Sequence, residues 1–235
     1  MTKTLYDCIG ESAAFLEGKG VDSPLLSAEI LACHVLGLDR TGLLTQKRRE
    51  LDSKEVEAIR ALVARRGNGE PVAYITGHKE FYGLDFKVGP GVLIPRPETE
   101  HIVEKVEELF DPAAPLAFAD LGTGSGILGV TLASLFPQAR GLLLDISVGA
   151  LEFAASNAEK HGVRERLELW QGSMLEPFAE SESLDLVVSN PPYVSAGEYE
   201  GLDREVAAFE PAGALVSGED GLDHLRGLLP HVADA

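Results

Sequence analysis

Apolar residues recur at helical spacing through the first 70 residues of the chain. One run begins at Ser23-Pro24, a capping residue followed by a proline at the first helical position, and stops at Gly37. A second run begins at Asp52 or Ser53 and ends in two arginines and a glycine, where the cations suit the helix dipole. This pattern predicts a small helical bundle.

Residues 71–96 have another pattern, in which aromatic residues are followed by glycines at turn positions and a short apolar run. Such a stretch predicts a hairpin-like connector. Pro97 then opens a helix that carries Glu98 and Glu100 in its first turn, where acidic side chains are favoured. One face of that helix is apolar, with Ile102, Val103, Val106 and Leu109.

From residue 115 onward, short apolar runs alternate with segments of helical spacing. Alternating strands and helices predict right-handed βαβ units around a parallel sheet, which is the α/β fold class. The predicted strands are residues 116–120, 141–145, 167–171 and 184–189, and the predicted helices are residues 126–136 and 148–160.

The chain has 235 residues, of which 45% are hydrophobic and 25% charged, as expected for a globular protein. Its net charge of −18 is unevenly distributed. The first 70 residues carry 10 Lys/Arg and 11 Asp/Glu, whereas the remainder carries 10 and 27. An acidic body repels a phosphate backbone, so a nucleic-acid partner is disfavoured, although a local basic patch would be compatible with one.

Targeting signals and metal-binding spacings are not evident in the sequence. No apolar run reaches the ~18 residues of a membrane span, and the first residues do not resemble a signal peptide. Cys8 and Cys33 lack metal-ligand spacing, so free buried thiols are expected and no metal is predicted. These features predict a cytoplasmic protein without a membrane partner.

The stretch "ADLGTGSGILGV" follows the first predicted strand of the sheet. Gly122, Gly124 and Gly126 lack Cβ atoms, so a ligand can approach the backbone closely. Gly124-x-Gly126-x-x-Gly129 also matches the dinucleotide fingerprint, although a purely structural tight turn is an alternative. The loop is not a P-loop, because no Gly-Lys-Ser/Thr follows it.

An acidic residue at the end of the next strand, Asp145, stands where nucleotide-binding folds place a carboxylate on ribose hydroxyls. Asp120, just before the glycines, favours a methyl donor over a nicotinamide cofactor. S-adenosylmethionine carries two cationic groups and no phosphate, and a carboxylate would oppose a pyrophosphate. Ser173 and Met174, after the third strand, are predicted to lie beside the adenine.

The stretch "VVSNPPY" ends the fourth predicted strand, across the topological switch from the glycine loop. Pro191 and Pro192 lock the backbone, so the Asn190 side-chain oxygen and a proline carbonyl can act as two fixed acceptors. Such a pair fits the two hydrogens of a planar –NH₂, and Tyr193 can stack on its face. A plain Asn-Pro turn is the alternative.

Taken together, these motifs resemble the class I methyltransferases that methylate planar nitrogens. The stretches "VLIPRPETE" (residues 92–100) and "EPAGALVSGEDGLD" (residues 210–223) are similar to the release-factor glutamine methyltransferases of the HemK/PrmC type. The resemblance covers essentially the whole chain. It implies methyl transfer from S-adenosylmethionine to the glutamine side-chain amide in the Gly-Gly-Gln motif of peptide chain release factors.

The resemblance also implies roles for individual residues. Asn190, Pro191, Pro192 and Tyr193 match the glutamine clamp of the family. Ser173 stands where the family commonly has an acidic residue. The positions that match cofactor contacts are Gly122, Thr123, Gly124, Ser125, Gly126, Asp145, Met174 and Asn190.

By the same resemblance, the chain is expected to contain three parts. These are a helical substrate-docking domain over residues 1–70, a β-hairpin connector over residues 71–96 and a Rossmann-like methyltransferase domain over residues 97–235. Strand order 3-2-1-4 is expected in the sheet. The family continues through about three more strands, so the last domain is expected to be C-terminally short.

Two other functions stay open at the level of sequence. An adenine amino group also fits a clamp of two acceptors, so an adenine N6-methyltransferase acting on DNA or RNA is one alternative. The second alternative is a protein that binds S-adenosylmethionine without turnover.

Overall fold

The structure is a computed structural model that describes residues 3–175 and 184–233. The predicted domains also include residues 1–2, 176–183 and 234–235, which lie outside the described residues. The chain divides into two compact units, Met1–Gly77 and His78–Ala235. The division falls a few residues beyond the predicted end of the helical domain, after a short helix that the sequence pattern did not reveal.

The first unit is helical, as its pattern predicted. Its helices pack around a core that includes Leu5, Leu16, Leu31 and Ile59, all fully buried. The elements are β1 (Lys3–Thr4), α1 (Leu5–Gly18), α2 (Pro24–Leu36), α3 (Arg40–Thr45), β2 (Glu50–Leu51), α4 (Ser53–Gly67) and α5 (Val72–Thr76), with β1 and β2 paired antiparallel.

Local signals set most of the helix ends in this unit. Asp52 caps α4, because its carboxylate accepts the N–H groups of Lys54 and Glu55. Gly37 ends α2 in the left-handed conformation, as predicted. The prediction that Ser23 caps α2 is wrong: Ser23 has a φ of +49° and its side chain makes no capping bond.

The predicted connector is helical at its start and a hairpin only afterwards. Pro71 and Gly77 bracket the single turn of α5, which packs against α2 and α4 in the first unit. The hairpin consists of β3 (His78–Phe81) and β4 (Leu84–Lys87), which pair antiparallel. Tyr82 and Gly83 between them have φ values of +51° and +74°, as a two-residue type I′ turn requires.

The second unit continues as an α/β fold. After a 3₁₀ turn at Pro97–Thr99, its elements are α6 (Glu100–Leu109), β5 (Ala117–Leu121), α7 (Ile127–Leu135), β6 (Arg140–Asp145), α8 (Val148–Lys160), β7 (Leu167–Gln171), β8 (Leu186–Ser189), α9 (Ala196–Tyr199), α10 (Arg204–Phe209) and α11 (Asp223–Ala233), with further 3₁₀ turns at Arg164–Arg166 and Ala212–Ala214.

Four parallel strands form the sheet in the order β7-β6-β5-β8, which confirms the predicted fold class and strand order. The register places Leu121 of β5 opposite Leu144 of β6 on one side and Ser189 of β8 on the other. The carboxyl ends of these strands therefore meet at one edge. The glycine loop, Asp145 and Asn190 are all delivered to that edge.

The central strand is buried on both faces. Phe118 of β5 is almost fully enclosed, and Gly141 on the neighbouring strand makes room for its ring. A Cβ at Gly141 would lie 2.3 Å from the Phe118 ring. Close packing of this kind fixes β5 and β6 against each other and so fixes the loops that follow them.

Candidate active site

The loop after β5 is bonded to the end of the neighbouring strand. The N–H groups of Gly122 and Thr123 both donate to the Leu144 carbonyl of β6, with N···O distances of 2.8 and 3.0 Å. Gly122 and Gly124 have φ values of +71° and +57°, which L-residues rarely adopt. The loop is thereby held at the edge of the sheet, with no side chain on its glycines.

Asp145, the last residue of β6, supports this loop with both carboxylate oxygens. Oδ2 accepts the Gly124 N–H at 2.8 Å, and Oδ1 accepts the Ser147 N–H at 2.9 Å. A carboxylate oxygen can accept more than one bond, so both oxygens retain capacity for hydroxyl donors. The residue is therefore placed both to shape the loop and to bind a diol.

Asp120 lies beneath the loop rather than beside the cavity, and its side chain is nearly inaccessible to solvent. Its Oδ2 accepts the Thr123 hydroxyl at 2.6 Å and the Gly129 N–H at 2.9 Å. Burial raises the pKa of this carboxyl to about 6, against the opposing effect of the two hydrogen bonds. Asp120 therefore lies in a supporting position under the loop and outside the wall of the cavity.

A cavity of about 400 Å³ opens between the glycine loop and the ends of β6, β7 and β8. Its walls are mostly apolar. Seven of the sequence-predicted residues line it: Gly122, Gly124, Asp145, Ser173, Met174, Asn190 and Pro192. The volume is in the range of small-molecule sites.

The charge of the lining indicates which nucleosides the cavity can hold. Of the described residues in its wall, Asp145 and His224 are the ionisable ones, so no Lys or Arg faces the cavity. A phosphate group would find no cationic partner there, whereas a cationic ligand would not be repelled. The open space at Gly124 and the diol-binding capacity of Asp145 fit the nucleoside part of S-adenosylmethionine.

Asn190 directly follows β8 and lines this cavity. It lies across the point between β5 and β8 at which the strand order reverses. Its Nδ2 donates to the Thr99 hydroxyl oxygen at 3.1 Å. The preceding Ser189 donates its own hydroxyl to the Leu121 carbonyl at 2.6 Å, which ties the end of β8 to β5. The side-chain oxygen of Asn190 is left as an acceptor.

A second, smaller pocket of about 30 Å³ adjoins the first at Asn190. Pro191 and Tyr193 line this pocket, Pro192 lines the larger cavity, and Asn190 lines both. Tyr193 is 63% exposed, which is unusual for an aromatic side chain in a rigid turn. Its ring is available to a ligand.

The stretch that begins at Glu210 closes the same edge of the sheet. The Glu210 carboxylate is buried and accepts the Ile94 N–H at 3.0 Å and an Arg96 Nη2 bond at 2.6 Å. Further along, Val194 and Val216 form a parallel bridge. These contacts hold the loops around residues 91–96 and 211–214 together at the mouth of the cavity.

His224, in the first turn of α11, also lines the cavity. The buried hydroxyl of Ser217 accepts the His224 backbone N–H at 2.9 Å and lies 2.8 Å from the ring Nδ1. If the hydroxyl donates to Nδ1, the ring presents Nε2–H as a donor. No sequence motif indicates this pair, because its members acquire a role only where α11 meets the cavity.

Four predicted cofactor residues lie outside both walls: Asp120, Thr123, Ser125 and Gly126. Thr123 and Ser125 are buried in the loop, and the Ser125 carbonyl accepts Asn157 Nδ2 at 2.8 Å. The same Asn157 bonds both backbone groups of Lys87 at the end of the hairpin. Sequence patterns did not reveal Asn157, Thr99 and Glu210, because each acts through a partner far away in the chain. They did not reveal His224 either, because it meets the cavity only through the placement of α11.

Two further findings concern the described residues only. None of their helices combines the length and the apolar composition that crossing a bilayer requires. Within residues 3–175 and 184–233, no group of three or more His, Cys, Asp or Glu side chains is arranged to hold a metal ion.

The parallel sheet has a glycine loop after its first strand, an acidic residue at the end of the next strand and a cavity without Lys or Arg in its described wall. This combination is that of a class I methyltransferase fold. Comparison with known families agrees. Residues 100–208 match the methyltransferase small domain, and residues 7–77 match the PrmC N-terminal domain.

The chain belongs to the release factor glutamine methyltransferase family. It is 46% identical to the release factor glutamine methyltransferase of Nitratidesulfovibrio vulgaris over 96% of this chain and 76% of that protein. The corresponding proteins of Koribacter versatilis and Geobacter sulfurreducens are 42% and 43% identical. Both alignments cover 97% of this chain, and they cover 81% and 78% of those proteins.

Proposed function

We propose that this protein transfers a methyl group from S-adenosylmethionine to a glutamine side-chain amide nitrogen in peptide chain release factors. The glutamine is the one in their Gly-Gly-Gln motif. One observation carries the proposal: Asn190 lines both the nucleoside cavity and the adjoining small pocket, so one amide can face a bound cofactor and an entering substrate. The names of the relatives point to the same substrate.

The acceptor nitrogen poses the chemical problem. An amide nitrogen is a poor nucleophile, because its lone pair is delocalised into the carbonyl. The side-chain oxygen of Asn190 and the Pro191 carbonyl are assigned as acceptors for its two N–H groups. Those bonds raise the electron density on nitrogen and hold it in place, and positioning alone can supply about 7–11 kcal/mol in favourable cases.

The cofactor is held by the cavity and the glycine loop. When bound, S-adenosylmethionine supplies an electrophilic methyl group on a sulfonium. Asp145 binds the ribose hydroxyls, Gly122 and Gly124 allow close approach, and Met174 and Ile146 provide apolar walls for the adenine. The apolar lining excludes water from the reacting groups. After transfer, the nitrogen loses one of its original protons, which passes to solvent.

A labelled methyl-transfer assay tests the proposal. The intact protein is offered a release factor, the same factor with its Gly-Gly-Gln glutamine changed to alanine, and duplex DNA. Label is expected on the first substrate only. Label on adenine in DNA, or binding of S-adenosylmethionine without transfer to any of the three, would contradict the proposed substrate.

The Asn190→Ala variant provides the matched control for this assay. Loss of one bond directed at the reacting group costs roughly 10²–10³ in rate, while a strand-end amide adds little to packing. Turnover should therefore fall far more than stability.

The partner is a translation factor, so we place the reaction in the cytoplasm, with residues 1–70 as the docking domain for that factor.

A further inference from the structure

We propose that Thr99 is a positioning residue for the reaction, one that holds the Asn190 amide with its oxygen toward the substrate. The inference rests on the proposed function for its catalytic consequence. It concerns a bond between two residues of this chain that are 91 positions apart.

Thr99 is buried close to Asn190, and its hydroxyl is not used to cap the following helix. It ends the 3₁₀ turn of residues 97–99 in front of α6 and is only 5% exposed. Its side chain makes no capping bond to α6, and its backbone N–H donates to the Arg96 carbonyl at 3.1 Å. The hydroxyl oxygen therefore accepts the Asn190 Nδ2 bond at 3.1 Å without a competing donor from the helix.

The backbone of Asn190 is fixed on both sides. Before it, the Ser189 hydroxyl bonds the Leu121 carbonyl at 2.6 Å. After it, Pro191 and Pro192 restrict the chain. What stays adjustable is the rotation of the Asn190 side chain, and the Thr99 bond sets that rotation.

The direction of the amide decides whether the clamp works. A substrate amide offers two N–H donors, so the clamp must present oxygen; a reversed Asn190 amide would present its own N–H groups and repel the substrate. The bond from Nδ2 to Thr99 occupies the donor end of the amide. It also polarises the amide and strengthens its oxygen as an acceptor.

The substitution Thr99→Val separates this positioning role from a packing role. Thr99→Val keeps the branched shape and removes the hydroxyl, and Thr99→Ser keeps the hydroxyl. We expect Thr99→Val to lower kcat with a release factor by about 10- to 100-fold, the scale of a small displacement in a reacting group. Thr99→Ser should retain most of the activity. S-adenosylmethionine affinity, measured by calorimetry, should change far less than kcat in both variants.

Thr131→Val is the matched control. Thr131 is also buried, lies in α7 and has a hydroxyl without a hydrogen-bond partner among the described residues. The same substitution there should leave kcat at the wild-type value. An equal loss of kcat in both valine variants would show that the effect comes from removing a buried hydroxyl in general, and would overturn the assignment of Thr99.

A second measurement does not depend on turnover. The side-chain ¹⁵NH₂ resonances of Asn190, identified by their loss in Asn190→Asp, report the bond directly in the free protein. Thr99→Val should shift them and speed their exchange with solvent, and Thr99→Ser should not. Unchanged resonances, or wild-type kcat in Thr99→Val, would overturn the inference. Absence of transfer by the wild-type protein would refute the proposed function, and the resonances alone would then decide whether Thr99 holds Asn190.

Discussion

At the scale of single residues, one carboxylate both shapes a loop and lines the cavity. Asp145 accepts the Gly124 N–H on one oxygen and the Ser147 N–H on the other, and it faces the cavity. We therefore expect its substitution to change the loop as well as the binding of the cofactor. A variant that keeps the shape of the side chain is needed to separate the two effects.

We predict that Asp145→Ala weakens S-adenosylmethionine binding by about 1–3 kcal/mol, the scale of losing hydrogen bonds to a charged acceptor. Titration calorimetry measures it directly. Asp145→Asn, which retains one acceptor oxygen, should lose less. Equal affinity in the wild type and Asp145→Ala would remove Asp145 from the site.

Asp120 leads to a prediction about pH. Because burial raises the pKa of its carboxyl from the ordinary value of 3.8 to about 6, the folded state binds this proton more tightly than the unfolded state. Its contribution to stability is therefore fully present below about pH 4 and is lost as the pH rises through 6.

Asp120→Asn removes that titration and keeps an acceptor for Thr123 and Gly129. Other carboxyls have lowered pKa values, such as Asp85 beside Lys160 and His78, so the wild type as a whole also loses stability in acid. The informative quantity is the difference in unfolding free energy between Asp120→Asn and the wild type. It should move in favour of the variant as the pH rises from 4 to 6, measured by denaturant unfolding; a difference that is flat with pH would contradict the raised pKa.

At the scale of elements, the glycine loop contains two kinds of glycine. Gly124 has a φ of +57° and open space where a Cβ would stand. Gly126 has a φ of +84°, and a Cβ there would lie 3.1 Å from the Cα and Cβ of Ala154 in α8. The first glycine lines the open cavity, and the second allows the close packing of α7 against α8.

We therefore predict that alanine substitutions at these two glycines differ in their effects on stability and on S-adenosylmethionine binding. Gly126→Ala should cost about 1–2 kcal/mol for the left-handed backbone and about 1–3 kcal/mol more for the collision with α8. Gly124→Ala should have only the backbone cost but should weaken S-adenosylmethionine binding, because its methyl group would project toward the cavity. Denaturant unfolding and calorimetry on both variants test the contrast. A larger loss of stability in Gly124→Ala would reverse the assignment.

At the scale of the whole molecule, charge separates the two units. The first 70 residues are nearly neutral, whereas the rest carries a net charge of −17. Lys47 and Arg48 are adjacent basic residues, and both are exposed in the first unit. An acidic surface of a protein substrate would be attracted to them, whereas the strongly negative second unit would repel it.

We predict that Lys47→Glu combined with Arg48→Glu raises KM for a release factor several-fold and leaves kcat and S-adenosylmethionine affinity unchanged. Charged groups at the rim of an interface mainly affect association. Lys105→Glu with Arg140→Glu, an equal change of charge in the second unit, is the control and should not alter KM. Steady-state kinetics at two salt concentrations distinguish them, and identical KM values for both double variants would count against a docking role for the first unit.

Most of the elements and the chemical motifs of this protein can be read from its sequence alone. Helical and strand spacing, the glycine loop and strand-end residues such as Asp145 and Asn190 are written in short windows, because side-chain periodicity and backbone freedom are local properties. The parallel sheet and its strand order followed from that pattern and from the family resemblance, and the structure confirms both.

How distant residues work together depends on the tertiary structure. The fold brings Thr99 to Asn190 and Arg96 to Glu210, pairs separated by 91 and 114 positions. Asp120 bonds Thr123 and Gly129 within its own short stretch, but its burial beneath the loop comes from the packing of β5 against α7. The two distant pairs and this burial depend on the order of the strands and the packing of whole elements, and no short window of sequence contains that information.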